Sequence, residues 1–203
     1  MQIIKCNFSG IYSREDFLEG TVLDFTSLDE TRCYCSPRSA DIIRKALAPY
    51  GPGGIHWLDS GDYHYVSLFI QEMISEPYSL VLFDNHPDDQ AGAFGQELLS
   101  CGSWVAQVHH LPNWREDARN VYISIDKDVL CRDYARTDWD QGTMTLDELF
   151  SSIRDISLRY KIIGVDICGE AKNAEDTCSE DVSINSETNR RIQEFLLNLP
   201  GFE

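Results

Sequence analysis

A three-layer α/β/α fold on a mainly parallel sheet is what this 203-residue sequence predicts. Three observations predict it. Short apolar runs alternate with longer amphipathic segments, the pattern of strand and crossover helix. The run SLVLF (79–83) is apolar on both faces, as the centre of a parallel sheet requires. Residues able to do chemistry stand directly after the apolar runs, where open α/β sheets gather their ligands.

The elements follow in order. QIIKC (2–6) reads as the first strand. Ser36 opens a helix with Pro37 at its first position, and Ile42, Ile43 and Leu47 carry the helical spacing. PYGPGG breaks that helix, and IHWL (55–58) is a short strand whose His56 and Trp57 read as core residues. After the turn DSGD, YHYVSLFIQEMI (63–74) reads as a helix, followed by the strand 79–83. WVAQVHHL (104–111) is a helix and NVYISI (120–125) a strand. Thr145 and Glu148 form a capping box that opens TLDELFSSIRDISLRY. KIIGVDI (161–167) is a further strand, and SETNRRIQEFLLNL (186–199) is an amphipathic helix assigned to packing. No repeat or low-complexity linker interrupts the series, so a single domain over 1–203 is expected.

Composition narrows the function. A chain 42% hydrophobic and 25% charged is an ordinary globular protein. No apolar stretch reaches bilayer length, and MQIIKCNFSG lacks the basic and apolar regions of a signal peptide, so a cytoplasmic location is expected. A formal net charge of −17 opposes nucleic-acid binding and suits a cationic substrate or bound metal ions. The seven cysteines are odd in number and form no C-x-x-C pair. They read as free thiols in a reducing compartment, outside the catalytic machinery.

Three strand ends carry the chemistry. VLF runs into Asp84-Asn85-His86-Pro87-Asp88, ISI into Asp126-Lys127-Asp128, and GVDIC into Gly169-Glu170, while the turn SGDYH sets His64 at a helix start. A D-x-H-x-D series leaving a strand can turn all three groups to one locus. His64, Asp84, His86, Asp88, Asp126 and Asp128 together bring two imidazoles and four carboxylates, too much negative charge to gather without a cation. Two divalent ions neutralise it. Oxygen-rich ligation with some imidazole favours manganese, with iron, cobalt or zinc as alternatives. Asp89 is left as a solvated or supporting acid.

In the order GDYH, DNHPD, SIDKD and DICGE, over about residues 54–170, the chain resembles the arginase/agmatinase family, the ureohydrolases. The resemblance implies an arginase-like fold. It implies one metal held by His64, Asp84, Asp88 and Asp126, and another by Asp84, His86, Asp126 and Asp128. Asp84 and Asp126 would bridge, and a hydroxide between the ions would attack a C–N carbon. A guanidinium substrate needs a carboxylate partner. Glu170 is the first candidate and Asp166 the second. The family's proton-shuttling histidine would fall near SCGSWVAQ (100–107), where there is none. His109 is taken for that role, with His110 beside it, and Trp104 is either core or pocket lining. Gln90 replaces an Asn of the family pattern, and the acid of DICGE stands one residue late.

The expected function is a binuclear hydrolase of a guanidino or amide C–N bond, acting on a small cationic or amide-bearing substrate, with a homo-oligomer left open. Two other readings stand beside it. One is a mononuclear zinc deacetylase-like enzyme using Asp84, His86 and Asp126. The other is a non-catalytic binding member of the same fold.

Overall fold

The computed structural model describes residues 1–15, 19–90, 98–172 and 174–202. The first strand, β1 (Ile3–Asn7), has its middle buried because Ile4 and Cys6 point into one core while Lys5 lies between neighbouring strands. β2 (Thr21–Asp24) pairs with it as an edge strand. Its largely exposed side chains gave no alternation to read, so the sequence did not announce it. β3 (Tyr34–Cys35) also went unannounced; it pairs antiparallel with β6 (Leu99–Ser100) in a separate two-stranded ribbon.

Helix α1 (Pro37–Leu47) starts as expected, with the Ser36 side chain accepting from the Ser39 amide. β4 (Ile55–Trp57) is buried throughout. The expected helix over 63–74 is shorter. A 3-10 turn at Gly61–Tyr63 precedes α2 (Val66–Gln71), which is buried along its whole length. β5 (Tyr78–Phe83), α3 (Trp104–Val108), β7 (Asn120–Asp126), α4 (Leu146–Ser157) and β8 (Lys161–Cys168) follow. The Thr145–Glu148 capping box of α4 is formed in both directions. The last helix, α5 (Ser179–Leu197), begins seven residues earlier than its apolar stripe, with the Cys178 side chain as its cap.

The main sheet has the order β2-β1-β4-β8-β7-β5, and every pairing in it is parallel, so the apolar run 79–83 forms an edge strand and not the central strand expected of it. Strands alternate their side chains between faces. On one face Ile4, Cys6, Tyr122 and Cys168 pack with α1, α2 and α3. On the other Val121, Ile123, Ile125, Val165 and Ile167 pack with α4 and α5. This gives three layers. All six strands run the same way, so the loops leaving β4, β5, β7 and β8 meet at one edge. Asp59, buried just beyond β4, holds that edge together. Its carboxylate accepts from the amides of Phe8 and Ser9, both at 2.8 Å, and from Ser60 at 2.7 Å. Among the described residues no helix is long and apolar enough to cross a membrane.

His56 is fully buried in β4, and burial pushes its pKa down to about 4. The unfolded chain has the ordinary value near 6.5, so it binds a proton first as pH falls. This contribution to stability is therefore complete above pH 6.5 and lost as pH drops through 4. The shift corresponds to about 3 kcal/mol. Chemical denaturation from pH 7 to pH 4 should show His56→Leu losing less stability than the parent by roughly that amount. Parallel pH profiles would mean the imidazole is not held neutral in the fold.

Candidate metal centre

At the carboxyl edge, β5 ends at Phe83 and the chain turns sharply. The His86 amide donates to Asp84 Oδ1 at 2.6 Å, and the Asn85 amide donates to Asp128 Oδ1 at 3.0 Å. Asp88 adopts a positive φ of 47°, a conformation that Asp tolerates better than most residues. Its Oδ2 accepts from the Trp104 indole at 2.7 Å, which fixes the carboxylate against α3. Trp104 is fully buried and tilts against the His64 ring at 4.7 Å between centroids. It therefore positions a site residue and does not line the cleft. After β7, Asp126 Oδ1 accepts from the Asp128 amide at 2.9 Å. Gly169, with φ +91°, lets β8 exit close by; a Cβ there would sit 2.5 Å from Asp126 Oδ1.

The six acids and imidazoles singled out in the sequence come together. His64 Nδ1 lies 3.0 Å from Asp88 Oδ2, 3.3 Å from Asp84 Oδ2 and 3.7 Å from Asp126 Oδ2. His86 Nδ1 lies 2.8 Å from Asp128 Oδ2 and 3.6 Å from Asp84 Oδ1. Two ligand groups result, His64-Asp84-Asp88 and Asp84-His86-Asp128, and both use Asp84. A third group, His64-Asp126-Cys168, includes a cysteine that the sequence reading had set aside. Its signal was the period-2 parity of KIIGVDIC, which puts Cys168 on the face of Asp166 and directly opposite Asp126 in register.

Buried hydrogen bonds decide which His64 nitrogen carries the proton. Asp166 Oδ1 accepts from the Ser124 hydroxyl at 2.6 Å, and Asp166 Oδ2 from Ser67 at 2.5 Å. Ser124 has then given up its only hydrogen, so at 2.8 Å it accepts from His64 Nε2. The lone pair of Nδ1 therefore faces carboxylate oxygens. His64 Nδ1 and Asp84 Oδ2 are both buried without a hydrogen-bond partner. Acceptors turned toward acceptors need a cation between them.

The ionisation behaviour agrees. Burial raises Asp128 to about 9, helped by the charges of Asp126 and Asp84. Burial, and Asp84 beside it, also raises Asp126. Burial alone would lower His64, yet the neighbouring Cys168, Asp84 and Asp88 hold it well above its ordinary value. Without a metal, protons take the place of the positive charge. The donor set thus fits divalent cations.

A cleft of about 280 Å³ opens over these groups, lined by Asp84, His86, Asp88, Asp126 and Asp128 together with Cys33, Tyr34, Gly61, Gln90, Ser100, Cys101, Gly102 and Trp139. Three residues expected to act on the substrate lie outside this lining. Glu170 does not line this cleft. It is buried and ion-paired to the equally buried Lys127 at 2.5 Å, and it also accepts from Asn189 at 2.7 Å. Asp166, the second choice, is buried under Ser67 and Ser124. His109 is exposed on the far end of α3, its ring 4.4 Å from that of Trp114. The final helix does more than pack, because Asn189 joins it to Glu170, Lys127 and Glu15.

Solved structures share this frame. The arginase of Medicago truncatula aligns with 96% of this chain and 85% of its own, at a TM-score of 0.63 and 14% identity. The formimidoylglutamase of Bacillus subtilis aligns with the same shares, at 0.60 and 13%. At such identities the fold is what is shared, and the chain is a divergent member of the arginase fold. Within that fold it belongs to one family with an uncharacterized protein of Thermotoga maritima. The two are 31% identical over 196 residues, covering 81% of this chain and 78% of its relative. No family model matches the sequence.

The Lys127–Glu170 pair gives the Glu170 reassignment a direct test. Lys127→Met strands a buried carboxylate and should lower the unfolding free energy by about 3–5 kcal/mol. Adding Glu170→Leu should recover most of that loss in urea denaturation. A single Lys127→Met variant as stable as the parent would free Glu170 for another role.

Proposed function

We propose that this chain is a hydrolase of the arginase type that holds two divalent cations and cleaves a C–N bond of a small amide or guanidino compound. The observation that carries the reading is Asp84. Its Oδ2 faces His64 and its Oδ1 faces His86, so one carboxylate serves two ligand groups. His64, Asp84, Asp88 and Asp126 would hold one ion, and Asp84, His86, Asp126 and Asp128 the other. When bound, such a pair supplies a water acidified near neutral pH and positive charge for the developing transition state.

The chain's own residues orient that chemistry. Ser124 and Asp166 keep the His64 lone pair aimed inward. Trp104 fixes Asp88, and the backbone amides of Asn85, His86 and Asp128 fix Asp128, Asp84 and Asp126. His86, about one third exposed at the cleft, meets the edge of Trp139 at 5.9 Å. Among the described residues, the lining outside the ligand set is uncharged. Burial pushes Cys33 up to about 11 and Cys101 to about 12, so both are neutral thiols. The oxygen-rich group around His86 suits manganese.

The single-zinc deacetylase-like reading has less support, because Asp84 also faces His64 and Asp88 in a second ligand group. Metal analysis of dialysed protein separates these readings. The parent should hold two ions per chain. Asp84→Ala should weaken both by at least tenfold, on the order of a lost ligand's effect. Asp89→Ala, at an exposed position, should leave both in place. One retained ion in the parent would overturn the pair. Absence of turnover on a panel of amides, guanidines and acetylated amines, with one of them bound tightly, would identify a binding protein.

A further inference from the structure

Cys168 is the last residue of β8 and is 1% exposed. Its Sγ lies 3.1 Å from Asp126 Oδ2, on the protein side of the cluster and away from the cleft lining. Sγ, Asp126 Oδ2 and His64 Nδ1 form a group whose ligand atoms all lie within 4.8 Å of one another. The lone cysteine gains meaning from a second observation. His64 Nδ1 is 99% buried with its residue and has no hydrogen-bond partner, and it is aimed into the same space. Two ligands that each sit about 2.0–2.3 Å from an ion lie about 3–4 Å apart, and Asp126 Oδ2 stands 3.1 Å from Sγ and 3.7 Å from His64 Nδ1.

We propose that Cys168 is a thiolate ligand of the ion held by His64, which makes the two halves of the centre chemically unequal. The inference rests on the two-ion reading above. The His64 position offers nitrogen, oxygen and sulfur, whereas the His86 position offers nitrogen and oxygen alone. Thiolate selects softer ions, so the inner position takes zinc, cobalt or ferrous iron in preference to manganese, and the outer one keeps the manganese preference. The thiol proton leaves to solvent as the ion binds, and no oxidant or reductant is involved. Of the other cysteines, Cys33 and Cys101 line the cleft on its solvent side. Cys6 is buried beside Ile4 in the core.

Cobalt(II) loading of the full-length chain tests this with a readout independent of turnover. The parent should bind two cobalt ions and show a near-ultraviolet sulfur-to-cobalt charge-transfer absorption. Cys168→Ser should keep two cobalt ions, lose that absorption, and bind zinc about tenfold more weakly with manganese affinity unchanged. Cys33→Ser and Cys101→Ser should retain the absorption. Two bound cobalt ions without the absorption, or an absorption that survives Cys168→Ser, would overturn the thiolate ligand and leave the two-ion reading standing. One bound cobalt whose absorption depends on Cys168 would uphold the ligand and overturn the pair. No bound cobalt would overturn both. If Cys168→Ser does not fold, X-ray absorption of the zinc-loaded parent decides. One sulfur at about 2.3 Å supports the ligand, and its absence rejects it.

Discussion

The register of β7 against β8 is the constraint from which the candidate metal centre follows. Ser124 stands opposite Asp166 and Asp126 opposite Cys168. Side chains alternate along a strand, so these four share the face covered by α2 and cannot be separated from one another. β5 lies on the other side of β7, with Phe83 opposite Ile125, and so delivers Asp84 one residue beyond the strand, level with Asp126. A slip of β7 by one residue would send Ser124 and Asp126 to the α4 and α5 face and take Asp126 out of the cluster.

The same register explains why the centre is rigid. A carboxylate cage alone would collapse or protonate. Here Ser67, Ser124 and Asp166 form a buried hydrogen-bonded track beneath His64, with Gln71 donating to Ser67 at 2.9 Å. The Ser124 and Ser67 hydroxyls both donate to Asp166, which leaves His64 Nδ1 turned toward the cluster. Buried polar groups are costly when unpaired, and two such atoms, His64 Nδ1 and Asp84 Oδ2, stand where a cation can answer them.

Much of this was legible before any coordinates, and the reason is local. A D-x-H-x-D run after an apolar strand, S-I-D-K-D after another, and a glycine turn before His64 each state their chemistry within a few residues. Parallel strands then bring their ends together without further instruction. What stayed hidden depended on partners far apart in sequence. Glu170 looked like a free acid because its counterion, Lys127, stands in the turn after β7 and its amide partner, Asn189, on α5. Trp104 looked like core or lining until Asp88 was seen to accept its N–H. Cys168 was hidden differently: its parity with Asp166 was there to be read, but cysteine count and spacing drew attention to disulfides and zinc knuckles instead. β2 and the β3–β6 ribbon are too short or too exposed to leave a pattern.

Asn189 ties α5 to Lys127, to Glu170 and to Glu15, a contact spanning 174 positions. The six candidate ligand residues lie between 64 and 128, so all of them are synthesised before β8 and α5. Until then Lys127 has no counterion and His64 lacks the Asp166 that sets its tautomer. The acids are present early, but the geometry that makes them selective arrives with the end of the chain. On the two-ion reading, cation choice is therefore made by the finished fold and not by the emerging chain, and the metal acquired reflects what the folded protein meets first.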